Sequence, residues 1–438
     1  MFFCITDRSV NRRSLADGYD KTTSIIILKK SKNLKIIKNF LSLGIIQVSS
    51  YLITLITMPY LIKVLGLKGF GIIVFAQTLV GYFVIAIDYG FSLTGTKYIS
   101  ENKDNHRLVN NIVSEILVIK TLIFFIGLII FLLILPLLPK LQEYKEIFIV
   151  TYFMTLGNVF FPVYYFQGIE KMHYTALFNI MPKIVALLFI FIFVKEKDDI
   201  LYVAIITSAG FAVSGFLSLV YSLHIGLSLQ WPSFSKAIYR VHEAKEVFVG
   251  MLSSNVSSNS VVLILGILTS PTIVGAYSAV EKFIKPISFF SNTLMQVIYP
   301  HMVSLKKLNL DYKRFSVKIT FIYITLLALG LIFVKIILTY FLGYLIGGDK
   351  ESQIILDVLI MLPLFTAILN SYFLPMILVE GKKNIYAKSL SISCLISLAL
   401  TPILIIWLGV FGAAIIAILS ELIKIFSIII LNRSRVSK

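Results

Sequence analysis

Nine charged side chains stand inside long apolar stretches of this chain: Asp88, Lys120, Lys183, Glu281, Lys282, Lys285, Lys335, Glu421 and Lys424. A charge held at bilayer depth costs ~2.5–3.5 kcal/mol on insertion scales, so those that persist usually face a wet cavity, the protein interior or a partner. Lysines outnumber acids among them, and a cavity they lined would be cationic. The tightest group is Glu281, Lys282 and Lys285. Glu281 and Lys285 are four apart, on one helical face and able to pair. Lys282 is rotated about 100° from Glu281 and is left for another partner. Pro286 follows at once, where a helix can bend and free a carbonyl. Such a group either contacts a ligand or is a local ion pair that makes the span tolerable.

The other charges divide by depth. Asp88 precedes Tyr89-Gly90 and either titrates, accepts hydrogen bonds, or sits near the interface. Lys120 and Lys183 lie deeper, Lys183 directly after Pro182, and each either lines a cavity or snorkels and pairs. Lys335 reads as snorkelling outward. Glu421 and Lys424 are three apart, which favours a pair, with Glu421 also a candidate for coupling. Tyr164, Tyr165 and Phe166 could stack on a ligand in a cavity, but an interfacial aromatic belt is the favoured reading.

Several chemistries have no foothold. No G-x-x-x-x-G-K-[ST] loop exists, and Gly66 to Gly71 follows no strand, so it is a turn and not a nucleotide site. Histidines 106, 173, 224, 242 and 301 have no metal-ligand spacing. Cys4 and Cys394 are too few for a disulfide framework. No cofactor is implied.

Elements that could position these residues must be membrane helices. Hydrophobic residues make up 58% of the chain and charged ones 14%, with a mean hydropathy of +0.91; soluble domains average about 45–50% and ~25%. Apolar stretches near the ~20 residues that cross a bilayer recur throughout. We read about twelve spans, at 39–62, 70–95, 110–135, 147–167, 174–194, 200–223, 247–268, 274–299, 317–346, 354–379, 386–407 and 411–431. Continuous strand alternation is absent, so the fold class is all-α integral membrane.

Loop charge orients the chain. The net charge of +18 lies between spans, which is an orientation signal and not a nucleic-acid patch. Segments 97–109, 168–173, 224–246, 300–316 and 380–385, with both tails, carry the basic excess, including Lys103, Arg107, Lys171, Arg240, Lys306, Arg314 and Lys382. Basic loops are cytoplasmic, so both termini are expected inside. Residues 1–36 form a polar cytoplasmic tail, either disordered or an upstream extension, with Ile25 to Leu28 too short for a signal core. Spans one to six (37–223) make an N-terminal lobe, 224–246 a cytoplasmic linker, 247–431 a C-terminal lobe of spans seven to twelve, and 432–438 a second tail. A faint repeat links the lobes. Phe161-Pro162 precedes Gln167-Gly168 as Leu374-Pro375 precedes Glu380-Gly381, and Gly71 and Gln77 match the spacing of Gly275 and Glu281. An even number of spans per half gives parallel repeats around a central site.

The region from Asn39 carries the most specific text: Asn39, Gln47, Tyr51-Leu52, Pro59-Tyr60-Leu61, Leu65-Gly66, Phe70-Gly71, Gln77 and Asp88-Tyr89-Gly90-Phe91. With FPVYYFQGIEKM (Phe161 to Met172) and GAYSAVEKFIKPISFFSNTLMQVIYP (Gly275 to Pro300), it resembles the O-antigen flippase (Wzx) family of polysaccharide transporters. That family lies within the multidrug/oligosaccharidyl-lipid/polysaccharide exporter superfamily, and the resemblance covers about residues 34–431. It implies a MATE-like fold of two six-helix lobes around a central cavity in a bacterial inner membrane. It implies a secondary transporter and not an enzyme, moving undecaprenyl-diphosphate-linked O-antigen repeat units from the cytoplasmic to the periplasmic leaflet by alternating access. Partners would be that lipid-linked oligosaccharide, membrane lipids, and the polymerase and chain-length regulator of the pathway. A cationic lumen is what a diphosphate headgroup needs, since two bare phosphates cannot enter hydrocarbon. Lys120, Lys183, Lys282, Lys285 and Glu281 are then substrate-binding candidates, and Asp88 and Glu421 candidates for coupling or sugar contact. A multidrug cation antiporter of the same superfamily would want an acid in span one, which offers Ser42, Gln47 and Thr54. A membrane O-antigen polymerase would want a large outer loop, and no outer loop exceeds about a dozen residues.

Overall fold

The computed structural model describes residues 21–346 and 350–436, and every element there is helical. The N-terminal half comprises α1 (Lys21–Asp88), α2 (Phe91–Glu101), α3 (His106–Ile134), α4 (Pro139–Glu143), α5 (Lys145–Tyr152), α6 (Thr155–Phe160), α7 (Val163–Gly168), α8 (Met172–Phe193) and α9 (Ile200–His224). The C-terminal half comprises α10 (Phe234–Leu268), α11 (Pro271–Lys307), α12 (Tyr312–Ile346), α13 (Lys350–Leu359), α14 (Leu362–Ile368), α15 (Leu374–Val379) and α16 (Lys383–Val436). Among the described residues, eight helices are long and apolar enough to cross a membrane. A ninth candidate is α10, bent by 59° between Val256 and Asn259.

Two of these helical runs are doubled. In α1, Gly66 has φ 73° and ψ 174°, and in α16 Gly409 has φ 59° and ψ −134°. Both are left-handed conformations that glycine enters without a Cβ penalty. Each run is therefore two legs joined at a single residue, the tightest connection available between neighbouring spans. Helix α1 also begins earlier than the expected first span. Residues 21–36, assigned to a polar tail, are helical; Lys21 to Ile36 holds no glycine or proline, so a helix already nucleated in the span can extend through it. Residues 1–20 of that tail lie outside the described residues.

The halves echo one another in their interruptions. The fourth predicted span is broken into α5, α6 and α7, and the tenth into α13, α14, a π-helical turn (Leu369–Phe373) and α15. Leu326, Leu329, Ile332 and Phe333 on α12 are exposed, as lipid-facing residues of a membrane protein are. The largest core is where the halves meet. Leu61, Phe70 and Ile72 of α1 are buried there with Val274, Val280 and Ile284 of α11.

The segment predicted as a linker, 224–246, is tied to the N-terminal half. The backbone N–H groups of Ser228 and Gln230 donate to Asn110 Oδ1 (3.2 Å) and Ser114 Oγ (2.9 Å) on α3. Arg240 on α10 pairs with buried Glu115 and lies 5.1 Å over the Tyr98 ring. On the opposite, α8–α9 turn, the amides of Lys195 and Glu196 donate to Asp199 at 2.7 and 2.8 Å and hold its carboxyl below the usual range.

Candidate functional site

The second leg of α1 and the start of α11 cross at two glycines. A Cβ on Gly71 would lie 1.8 Å from the Pro271 carbonyl oxygen, and one on Gly275 would lie 2.1 Å from that of Leu67. Backbone thus packs on backbone at positions that the sequence repeat pairs with each other. From this crossing α1 and α11 run together along the boundary between the halves, and the cavities open beside them.

Two cavities there share Val74, Gln77 and Lys282. One, of about 200 Å³, is also lined by Thr54, Thr57, Lys183 and Thr207; the other, of about 360 Å³, adds Tyr82, Asn255 and Asn259. Among the described residues, the only charged ones lining them are Lys183 and Lys282. Lys183 Nζ donates to Ser50 Oγ and Asn179 Oδ1, both at 2.8 Å. Both partners are neutral and leave its charge uncompensated. Lys282 makes no hydrogen bond or ion pair with any described side chain. Its neighbours follow the predicted geometry: Glu281 and Lys285 pair at 3.1 Å, and Lys285 also donates to Asn259 Oδ1 at 3.1 Å. Helix α11 continues through Pro286 and Pro300 as one element.

A third cavity, of about 400 Å³, lies mostly within the C-terminal half. Glu281 and Lys285 line it, as do Glu421 and Lys424, which pair at 2.7 Å. Lys335 does not simply snorkel; it pairs with Asp357 at 2.9 Å on the surface.

Asp88 and Lys120 sit apart from all three cavities. Lys120, a candidate for cavity lining, is 1% exposed and bonded to Asp88 at 3.0 Å and to Asn158 at 3.3 and 3.4 Å, beneath the Tyr164 ring. Asp88 in turn accepts from Ser92 Oγ at 2.8 Å, where Tyr89 (φ 47°) and Gly90 (φ 80°) break the chain between α1 and α2. The pair clamps this corner to α3 and α6. Tyr164, Tyr165 and Phe166 form no interfacial belt either. They are buried with Phe91, Ile99 and Ile112, because the break after Pro162 turns α7 into the half instead of along its rim.

Removing one member of a buried ion pair leaves the other uncompensated, which costs ~3–5 kcal/mol. Asp88→Asn is accordingly expected to lower the thermal midpoint of the purified protein sharply, with Asp88→Asn/Lys120→Met recovering part of the loss. A single variant as stable as the parent would show the pair to be dispensable.

What residue inspection missed are the neutral amides. Asn255, Asn259, Asn292 and Asn370 line the cavities, and each stands in an apolar stretch where an amide is itself costly. That cost was the available signal. No group of three or more potential metal ligands occurs among the described residues.

Comparison with known proteins agrees with this architecture. The family described as "Polysaccharide biosynthesis protein" matches residues 36–306. A protein of Escherichia coli (strain K12) named "Putative O-antigen transporter" is 28% identical over 403 residues, covering 89% of this chain and 95% of its own length. A protein of the same name from Shigella dysenteriae is 24% identical over 399 residues, covering 88% and 97%. Among solved structures, the lipid II flippase MurJ in an inward closed conformation superposes with a TM-score of 0.70 at 11% identity, covering 91% of this chain and 87% of that one. An inward-facing multidrug resistance MATE family transporter of the MOP superfamily gives 0.57 at 16%, covering 88% and 98%. The fold is the one these transporters share. By sequence, this chain belongs to the polysaccharide biosynthesis protein family, and it is a multi-pass membrane protein with the fold of these transporters.

Proposed function

We propose that this protein flips undecaprenyl-diphosphate-linked O-antigen repeat units from the cytoplasmic to the periplasmic leaflet of the inner membrane. The observation that carries the reading is the pair of cavities at the boundary between the halves, whose only charged lining groups among the described residues are Lys183 and Lys282. Lysines without acids, held at bilayer depth, favour an anionic headgroup over the cationic drugs of a multidrug antiporter. The names of the relatives in Escherichia coli and Shigella dysenteriae support a polysaccharide cargo.

Twelve spans are part of this proposal. Counting the broken α1 and α16 as two legs each, and adding bent α10 and the charge-bearing α11, brings the eight apolar helices to that number. With basic loops inside, both termini are cytoplasmic, and the halves 37–223 and 247–431 rock about the boundary to alternate access. The polymerase and chain-length regulator of the pathway are its functional neighbours.

The test is a clean chromosomal deletion in a host with no second flippase. Surface O-antigen should be lost and lipid-linked repeat units should accumulate, protected from a periplasmic glycosidase. Normal surface polysaccharide in that strain would sink the assignment.

A further inference from the structure

The cavity in the C-terminal half differs in kind from the two lysine-lined ones. Its charged residues are two acids and two lysines, Glu281 with Lys285 and Glu421 with Lys424, so they cancel. The remaining lining is rich in amides and hydroxyls, among them Asn292, Asn370, Tyr386, Ser397, Thr401 and Ser420. Its volume of about 400 Å³ falls within the ~300–1,000 Å³ of small-molecule sites.

Several of these groups are unfinished. Glu421 Oε2, Ser397 Oγ and Ser288 Oγ are buried and find no hydrogen-bond partner among the described residues, and Ser397 is only 3% exposed. A buried polar atom without a partner costs ~1–3 kcal/mol, so each is stabilised by whatever supplies one. The backbone is special at the same place. Asn370 stands on the π-helical turn Leu369–Phe373, a local widening that recurs at functional sites. Its Nδ2 donates to Asn292 Oδ1 at 2.7 Å, and Ser316 Oγ donates to the Ser371 carbonyl at 3.3 Å, so the turn is held in shape.

Helix α11 joins the two environments. Lys282 faces the lysine-lined cavities, while Glu281 and Lys285 face the neutral chamber. Adjacent residues are ~3.8 Å apart along the backbone, so the two environments adjoin across one turn of α11. In a glycolipid whose first sugar is bonded to its phosphate, the two binding environments must adjoin in this way.

We infer that the C-terminal chamber is a saccharide subsite, binding uncharged, hydroxyl-rich sugar next to the phosphate held by Lys183 and Lys282. The inference rests on the flippase reading and adds to it a division of labour between the halves. Sugar hydroxyls would donate to Glu421 Oε2 and exchange hydrogen bonds with Ser397, Asn370 and Asn292.

The test uses the full-length protein in nanodiscs and two separate probes. One is the repeat-unit oligosaccharide released by mild acid from the host's own surface polysaccharide, without phosphate; the other is inorganic pyrophosphate. Binding is read from the ligand-dependent shift of the unfolding temperature. Ser397→Ala removes a hydroxyl with no internal partner, so the fold should tolerate it, while oligosaccharide affinity should fall roughly fivefold to tenfold. Asn370→Ala should act in the same direction. Both variants should bind pyrophosphate like the parent, and Lys282→Gln should show the reverse pattern. Oligosaccharide that does not bind, or binds parent and variants equally, would overturn the subsite, as would a shift produced by sodium chloride and not by the sugar. If export still depends on Lys282 in that case, the flippase reading survives. Failure of the deletion phenotype would instead remove the flippase reading itself.

Discussion

Gly71→Ala and Gly275→Ala are each expected to cut O-antigen export roughly 10- to 100-fold while leaving the protein in the membrane. The reason is the depth of the contact. Added methyls would meet carbonyl oxygens at 1.8 and 2.1 Å, and atoms of opposing backbone cannot swing aside as a side chain can. Overpacking of this kind costs ~1–3 kcal/mol, and each 1.4 kcal/mol shifts an equilibrium about tenfold. The strain falls only on arrangements in which α1 and α11 touch. A transporter that must pass through that arrangement once per cycle is therefore biased away from it. Surface polysaccharide in a complemented deletion strain, normalised to immunoblotted protein, provides the measurement. Wild-type export from either variant would mean that the contact is not used in transport. A large fall in protein level would instead place the cost on folding.

The second large effect should come from Lys282. Lys282→Glu is expected to abolish export, Lys282→Gln to reduce it severely, and Lys282→Arg to retain most of it. A unit charge ~4 Å from an anion at an effective dielectric near 20 is worth about 4 kcal/mol. Allowing for screening by water in an open cavity, ~2–4 kcal/mol corresponds to roughly 30- to 700-fold in affinity. Because Lys282 holds no described side chain in place, its replacement removes little from the fold. Lys183 is the control. It is anchored by Ser50 and Asn179, so Lys183→Gln should combine a similar loss of charge with some loss of packing. Equal export from Lys282→Glu and the parent would exclude Lys282 from the substrate path.

How much of this was legible in the residues depended on distance along the chain. Glu281 with Lys285, and Glu421 with Lys424, are helical neighbours, and their pairing follows from spacing alone. So does the divergence of Lys282 from them. Gly66 reads as a turn because it interrupts two apolar runs with a residue that tolerates positive φ. Lys120 could not be resolved this way. Its partner Asp88 lies 32 positions earlier, and only the packing of α3 against the end of α1 brings them together. Tyr164 reads as a belt residue by type and became a core residue because α7 turns inward. The saccharide chamber was the least visible feature. Its amides and hydroxyls come from α1, α10, α11, α14, the π-turn and α16, and no local pattern announces residues that converge from so many elements.

The ties between 224–246 and α3 have a mechanical meaning. With Ser228 and Gln230 hydrogen-bonded to α3, and Arg240 locked to Glu115, the base of α10 is held to the N-terminal half, while the helix also packs against α16. The far end is held there too: Lys140 on α4 donates to the carbonyls of Ile267 and Thr269, and Gly266 packs on Phe75 of α1. Helix α10 is therefore anchored to the N-terminal half at both ends, with its 59° bend between Val256 and Asn259 in between. The bend lies beside Asn255 and Asn259, which line the cavity with Lys282. The rocking proposed for the halves would then carry this α10 wall past Lys282 on α11, coupling motion to the anion site without a separate relay.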